Sequence, residues 1–145
     1  MKIVICASIN FTNEIKKVAD ILSRQGHKVE IPFYTQRILR GEDSLENFVR
    51  IKEKDGDLEF RNKSSEDLIK RYFRLIKDSD AILIVNIDKK GIKNYIGGNT
   101  FLEIGFAHIL NKKIFLLNPI PETSYTDEIK AMQPIVLDND LNKIN

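Results

Sequence analysis

The segment Tyr95-Ile96-Gly97-Gly98-Asn99-Thr100-Phe101-Leu102-Glu103-Ile104-Gly105-Phe106 sets one carboxylate among apolar residues, just past a pair of glycines. Two readings fit that spacing. Thr100-x-x-Glu103 has the form of a capping box, in which the glutamate accepts a hydrogen bond from the threonine backbone N–H. Alternatively, Glu103 is a nucleophile or acid whose pKa is set by an apolar pocket and a helix N-terminus. The residue types leave both open. A second candidate is Ser8-Ile9-Asn10, at a strand-to-helix turn where N–H groups and the helix dipole favour anions. It contains no glycine, so it is neither a P-loop nor a dinucleotide fingerprint, and a plain cap at Asn10 explains it as well. Asp88, close after Asn86, ends the most apolar run, and Gly97, Gly98 and Asn99 form the turn beside Glu103. Asp80 starts that run. Tyr72 sits on an apolar helix face, where core packing is the commoner role. His108 lies five residues beyond Glu103 and points elsewhere, and His27 opens a strand. No serine–histidine–acid arrangement follows.

The elements that must position these groups form a regular series. Residues 2–7 read as a strand buried on both faces. Ile15, Val18, Ala19 and Leu22 then mark a helix, capped by Asn10 or Thr12 and stopped at Gly26. Residues 27–31 are a second strand closed by Pro32. Residues 33–63 form the least regular part, a long connection with a short helix after Ser44 and turns at Gly41 and Asp55-Gly56-Asp57. It is either a lid or interaction loop or a solvated insertion. Ser64 or Ser65 caps the next helix, whose apolar side includes Leu68, Ile69, Tyr72, Phe73 and Ile76, and Asp78-Ser79-Asp80 ends it. Residues 81–87 are the most apolar strand and belong at the centre. A helix over 100–111, a strand over 113–117, a short helix over 127–132 and a strand over 135–137 complete the series, with a frayed tail after Asp138.

Strands alternating with helices imply an α/β fold with a five-stranded parallel sheet, doubly wound and flavodoxin-like. Ligands bind such sheets beyond the carboxyl ends of the strands, near the switch in strand order. Three loops are expected there: residues 8–11, 88–99 and 118–125.

Composition narrows the function classes. The 145 residues carry a net charge of +2, with basic residues scattered in pairs, so no nucleic-acid surface is expected. The single cysteine, Cys6, lies in an apolar run, where a buried and inert thiol is expected. One cysteine and two distant histidines offer no zinc spacing. No apolar run approaches a membrane span, and the first strand is too short for a signal-peptide core. The length suits a single domain over residues 1–145, and a cytoplasmic location is the default.

Three stretches resemble the nucleoside 2-deoxyribosyltransferase superfamily. The first strand ends in Ala7-Ser8-Ile9-Asn10. Asp78-Ser79-Asp80-Ala81 leads a strand to Asn86. A glycine-containing loop enters Leu102-Glu103-Ile104-Gly105-Phe106-Ala107, followed by Asn111-Lys112-Lys113 and a strand. The resemblance implies that Glu103 is the catalytic nucleophile, attacking C1′ of a deoxyribose as the base leaves, with no metal or organic cofactor. It also implies a nucleoside or nucleotide substrate and at least a homodimer, with the contact expected from residues 33–63 and apolar side chains such as Phe48 and Phe60. The substrate-binding set would be Ser8, Ile9, Asn10, Asp88, Gly97, Gly98 and Asn99. Two departures stand out. Family transferases often carry an aspartate shortly before the nucleophile, where this chain has Gly97-Gly98-Asn99. Asp88 or Asn99 could serve instead, although neither matches by position. The branch that hydrolyses 2′-deoxynucleoside 5′-monophosphates has an arginine and two glycines in the first loop, where this chain has Asn10-Phe11. A nucleotide-sensing domain without turnover and a nicotinamide-dinucleotide glycohydrolase are the alternative readings.

Overall fold

The computed structural model of the protein describes residues 1–51, 53 and 67–145. Five parallel strands form one sheet in the order β2-β1-β3-β4-β5. They are β1 (Lys2–Cys6), β2 (Lys28–Glu30), β3 (Ala81–Ile84), β4 (Lys113–Leu116) and β5 (Ile135–Val136). This is the flavodoxin-like order, with its switch point between β1 and β3. β3 is the central strand, and all of its residues are buried.

The side-chain alternation of the strands feeds two cores. Ile3, Ile5, Leu83 and Phe115 pack on one face against Ile15, Val18 and Leu22 of α1 (Thr12–Arg24). Val4, Cys6, Ile82, Ile84 and Leu116 face the other way. They meet Tyr72 and Ile76 of α3 (Leu68–Lys77), Ile104 and Ala107 of α4 (Gly98–Ile109), and Ile129 of α5 (Thr126–Ala131). α1 ends as Gly26 predicts. Gly26 takes φ +89°, its N–H bonds the Ser23 carbonyl, and the His27 N–H bonds the Leu22 carbonyl. This is a Schellman cap, and the left-handed residue it needs is here a glycine.

Four expectations need correction. Residues 33–39 are not irregular: Pro32 leads directly into α2 (Phe33–Leu39), whose Tyr34 and Thr35 are buried. The expected short helix after Ser44 is present, with Ser44 Oγ accepting from the Asn47 N–H at 3.0 Å. Asp55-Gly56-Asp57, Phe60, Ser64 and Ser65 lie outside the described residues. Second, the cap of α3 is Asp67, whose carboxylate accepts from the Ile69 and Lys70 N–H groups at 3.1 Å. Third, α1 has no side-chain cap: the Thr12 hydroxyl instead donates back to the Ile9 carbonyl across a 3-10 turn over Ile9–Phe11. Fourth, the tail is not frayed. Asp140 caps a 3-10 turn at Leu141–Lys143, and Leu141 and Ile144 join the core under α1. Among the described residues no helix is long and apolar enough to cross a membrane.

The tail should therefore contribute to stability. Ile144 is 6% exposed. Ile144→Ala should cost about 2–4 kcal/mol through lost burial and the space left behind. Urea unfolding should show a lower midpoint at unchanged slope; an unaltered midpoint would return the tail to solvent.

Candidate functional site

A cavity of about 740 Å³ opens beyond the carboxyl ends of β1, β2 and β3. This is where strand order reverses and where such sheets accept ligands. Each element contributes a wall. Ala7, Ser8, Ile9 and Asn10 come from the exit of β1, and Pro32, Phe33 and Tyr34 from the exit of β2 and the start of α2. Phe48, Val49 and Glu53 follow from the next helical segment. Leu68, Ile69 and Tyr72 come from α3. Lys89 and Tyr95 come from the loop after β3, Gly97 from the N-cap of α4, and Gly98, Asn99, Thr100, Leu102, Glu103 and Phe106 from α4 itself. Tyr34 packs against Phe33 and Phe48 with ring centroids 5.2 and 5.4 Å apart, so this wall is aromatic.

Glu103 lines the cavity from α4, but not as a capping box. The helix begins at Gly98 with Gly97 as its N-cap, so Thr100 is already its third residue and Glu103 its sixth. Thr100 is buried, and no side chain caps the first turn. A Cβ at Gly97 would lie 3.0 Å from the Tyr95 hydroxyl oxygen, so any larger residue there would make the tyrosine side chain give way by a few tenths of an ångström. The uncapped N–H groups of this first turn therefore sit at the cavity wall formed by Gly97, Gly98, Asn99 and Thr100.

The chemistry of Glu103 follows from its surroundings. Burial pushes its pKa up from 4.5 to about 8, and a hydrogen bond from the Cys6 thiol draws it part of the way back. Cys6 is fully buried at the end of β1. Its own pKa is held well above the ordinary thiol value, first by burial and then by the Glu103 charge, as suits an unreactive thiol. Tyr72 combines core and site roles. Its hydroxyl donates to the Ile5 carbonyl at 2.6 Å, and burial, with the Cys6 and Glu103 charges next, raises its pKa.

Of the residues expected at a site, Ser8, Ile9, Asn10, Gly97, Gly98, Asn99 and Glu103 come together on this one cavity. Asp88 does not line it. Its carboxylate accepts the Asn94 N–H at 3.0 Å and braces the loop from outside. The 118–125 loop is also absent from the cavity lining. Buried Asn86 holds that loop at the sheet edge, donating to the Asn118 and Pro119 carbonyls and accepting the Asn118 N–H at 2.9 Å. Tyr125 then stacks on Phe101 and donates to the Ile96 carbonyl, supporting the α4 entry from behind.

Lys89 is the residue that sequence reading missed. It looked like part of a solvated turn. In the structure its ammonium donates to Ser8 Oγ at 3.0 Å and lies 4.8 Å from the Tyr95 ring centroid. It therefore brings a positive charge beside the Ser8–Asn10 turn. The aromatic wall from α2 was equally hidden, because nothing local in 33–39 marks it as facing Glu103.

No protein-family model matches the chain, and no curated protein matches it. Among solved structures, the chain is similar to the Clostridium botulinum CMP N-glycosidase BcmB. Identity is 19%, over 94% of this chain and 90% of that one, with a TM-score of 0.47. So distant a likeness leaves the chemistry to be argued from this chain's own residues.

The raised pKa has a consequence for folding. In the unfolded chain Glu103 titrates near 4.5; in the folded protein it titrates at about 8. Between those values the folded state keeps a proton that the unfolded chain has released. The contribution of this group to stability therefore falls as pH rises across the window. Glu103→Gln removes the titration. The unfolding free energy of the parent minus that of the variant should decline from about pH 4.5 to about 8, then level off. A difference independent of pH would mean that the folded protein does not hold the proton.

Proposed function

We propose that the protein is an enzyme of N-glycosidic chemistry, similar to nucleoside 2-deoxyribosyltransferases. It would cleave or transfer the bond between base and sugar in a (deoxy)nucleoside or its 5′-monophosphate. The observation that carries this reading is a single carboxyl, Glu103, set in the wall of a cavity at the sheet's switch point and desolvated there. A helix cap has no need of such a place.

In this reading the ionised Glu103 donates an oxygen lone pair to C1′. The C1′–N bond breaks, its electron pair leaves with the base, and the base takes up a proton. The transition state has oxocarbenium character, and the adjacent carboxylate stabilises its positive charge more strongly in a dry site than in water. Water then attacks C1′ of the glycosyl ester in a hydrolase, or a second base does so in a transferase, and Glu103 is regenerated. Ser8, Ile9, Asn10, Gly97, Gly98 and Asn99 are the proposed contacts to sugar and phosphate. The aromatic wall of Phe33, Tyr34 and Phe48 offers stacking to a base. The acid that protonates the base is left unassigned, since Asp88 does not line the cavity.

One observation favours a second reading, a nucleotide-binding domain without turnover. A carboxyl titrating near pH 8 is largely protonated at neutral pH, and a protonated acid does not attack. Incubation with deoxynucleosides, their 5′-monophosphates and a nicotinamide dinucleotide, followed by chromatography of free base, separates the readings. The enzyme reading expects base release that rises with pH toward about 8 as the carboxylate forms. Glu103→Gln should lower it by at least about a thousandfold, because an amide is a poor nucleophile. Release by the variant at the parent rate would remove Glu103 from the chemistry. Nucleotide binding by the parent with no base released would establish the second reading, and release from the dinucleotide alone would identify a dinucleotide glycohydrolase.

A further inference from the structure

Phe48, expected at a contact between copies of the chain, is 9% exposed and packs inward on Tyr34. The aromatic wall it helps to form adjoins the first turn of α3. Leu68 packs against the Tyr34–Phe48 cluster, and the Arg71 guanidinium lies 4.7 Å from the Phe33 ring centroid. Asp67, the N-cap just before Leu68, lines the same cavity. Its Oδ1 accepts both cap bonds, from the Ile69 and Lys70 N–H groups, which holds the carboxylate in one orientation. Oδ2 takes no part in the cap. Charge divides the cavity. Lys89 and Lys90 come from the β3 exit, where Lys89 bonds Ser8. The lining carboxylates besides Glu103 are Asp67 and Glu53, and both come from elements that build the aromatic side. Glu53 is exposed, whereas Asp67 is half-buried and fixed by its cap.

We propose that Asp67 reads the base, and that the site selects bases carrying an exocyclic amine beside a ring nitrogen, such as cytosine and adenine. This rests on the reading of the cavity as a nucleoside or nucleotide site. Five residues separate Asp67 from Tyr72, about 7.5 Å along a helix axis. Tyr72 in turn lies close enough to Glu103 for that charge to act on its hydroxyl. A base bonded to C1′ beside Glu103 therefore spans toward Asp67 while its face stacks on the aromatic wall. An ionised carboxylate only accepts hydrogen bonds, so the edge it meets must donate. The exocyclic amine donates to Oδ2. A keto base such as uracil or hypoxanthine sets a carbonyl oxygen in that place, and two acceptors then face each other unsatisfied. The negative charge beside the base also favours its ring-protonated form. When the C1′–N bond breaks, its electron pair neutralises that cation, and the base leaves uncharged with a ring proton taken from water.

Asp67→Asn tests this, because the helix fixes which way the amide turns. The cap needs an acceptor at the Oδ1 position, so the amide oxygen goes there and the NH2 group takes the place of Oδ2. An acceptor becomes a donor in a protein that should keep the parent's circular dichroism and thermal unfolding. Calorimetry in a Glu103→Gln background, where substrate is not consumed, gives affinities for two pairs: 2′-deoxycytidine with 2′-deoxyuridine, and 2′-deoxyadenosine with 2′-deoxyinosine, each also as the 5′-monophosphate. With Asp67 present, the amino member of a pair should bind at least about tenfold more tightly. Asp67→Asn should shift that ratio about a hundredfold, toward the keto member. Asp67→Ser caps through its hydroxyl but leaves the Oδ2 place empty, so it should lose the preference without reversing it. Equal binding of both members with Asp67 present, or folded variants that keep its ratio, would overturn the proposal. The expected preference in binding, with no base released when Glu103 is intact, would uphold Asp67 and overturn the enzyme reading alone. Base release without any such preference would do the reverse.

Discussion

Desolvation of one carboxyl organises the functional half of this molecule. Glu103 sits in the second turn of a helix that starts at the carboxyl end of a parallel sheet, where the strands give way to loops and a cavity can form. Its low-dielectric surroundings follow from ordinary packing: Ile104 and Ala107 beside it are core residues, and Cys6 fills the end of β1. An acid in that place holds its proton to about pH 8. A carboxyl shifted this far in a cavity wall is a candidate functional group, as such shifts gather at working sites.

The remaining site depends on how the strand exits are braced. Asn86 satisfies its side-chain amide against the 118–119 backbone, which fixes the far loop and leaves the near side open. Lys89 bridges from the β3 exit to Ser8 at the β1 exit, so the two strands flanking the switch point are tied by a cation beside the cavity. Tyr72 ties α3 to the β1 backbone through Ile5. These are hydrogen bonds between elements distant in sequence, and together they keep the walls apart without filling the space between them.

Most of the fold was legible in the sequence, because a parallel sheet leaves a strong signal. β1 and β3 are nearly unbroken apolar runs, α1 and α3 have clear helical spacing, and Gly26 marks its cap. The misreadings have local physical causes. Gly97-Gly98 looks like loop because glycine costs about 1 kcal/mol in a helix, yet α4 begins at Gly98, with Thr100 buried in its first turn. That two-residue shift turned an apparent capping box into an acid one and a half turns inside the helix. α2 was missed because aromatic and β-branched residues open it and its buried face is short. The tail offered only Leu141 and Ile144, too few for any periodic pattern. The cluster of Ser8–Asn10 with Gly97–Glu103 was legible from fold topology. The part of Lys89 and of the aromatic wall was not, since it arises from contacts across the sheet edge.

The central claim is that Glu103 forms a bond to the sugar. Mass spectrometry of the intact and peptide-mapped protein tests it directly, after brief incubation with 2-fluoro-2-deoxy analogues of nucleosides and their 5′-monophosphates and an acid quench. The fluorine slows breakdown of a glycosyl ester, because it destabilises the oxocarbenium-like transition state. The account predicts a mass increase of one sugar, or sugar phosphate, on the peptide containing Glu103, with one equivalent of base released. Base release with the sugar bound to another residue would contradict it, as would an unmodified Glu103 peptide with no base released from any analogue.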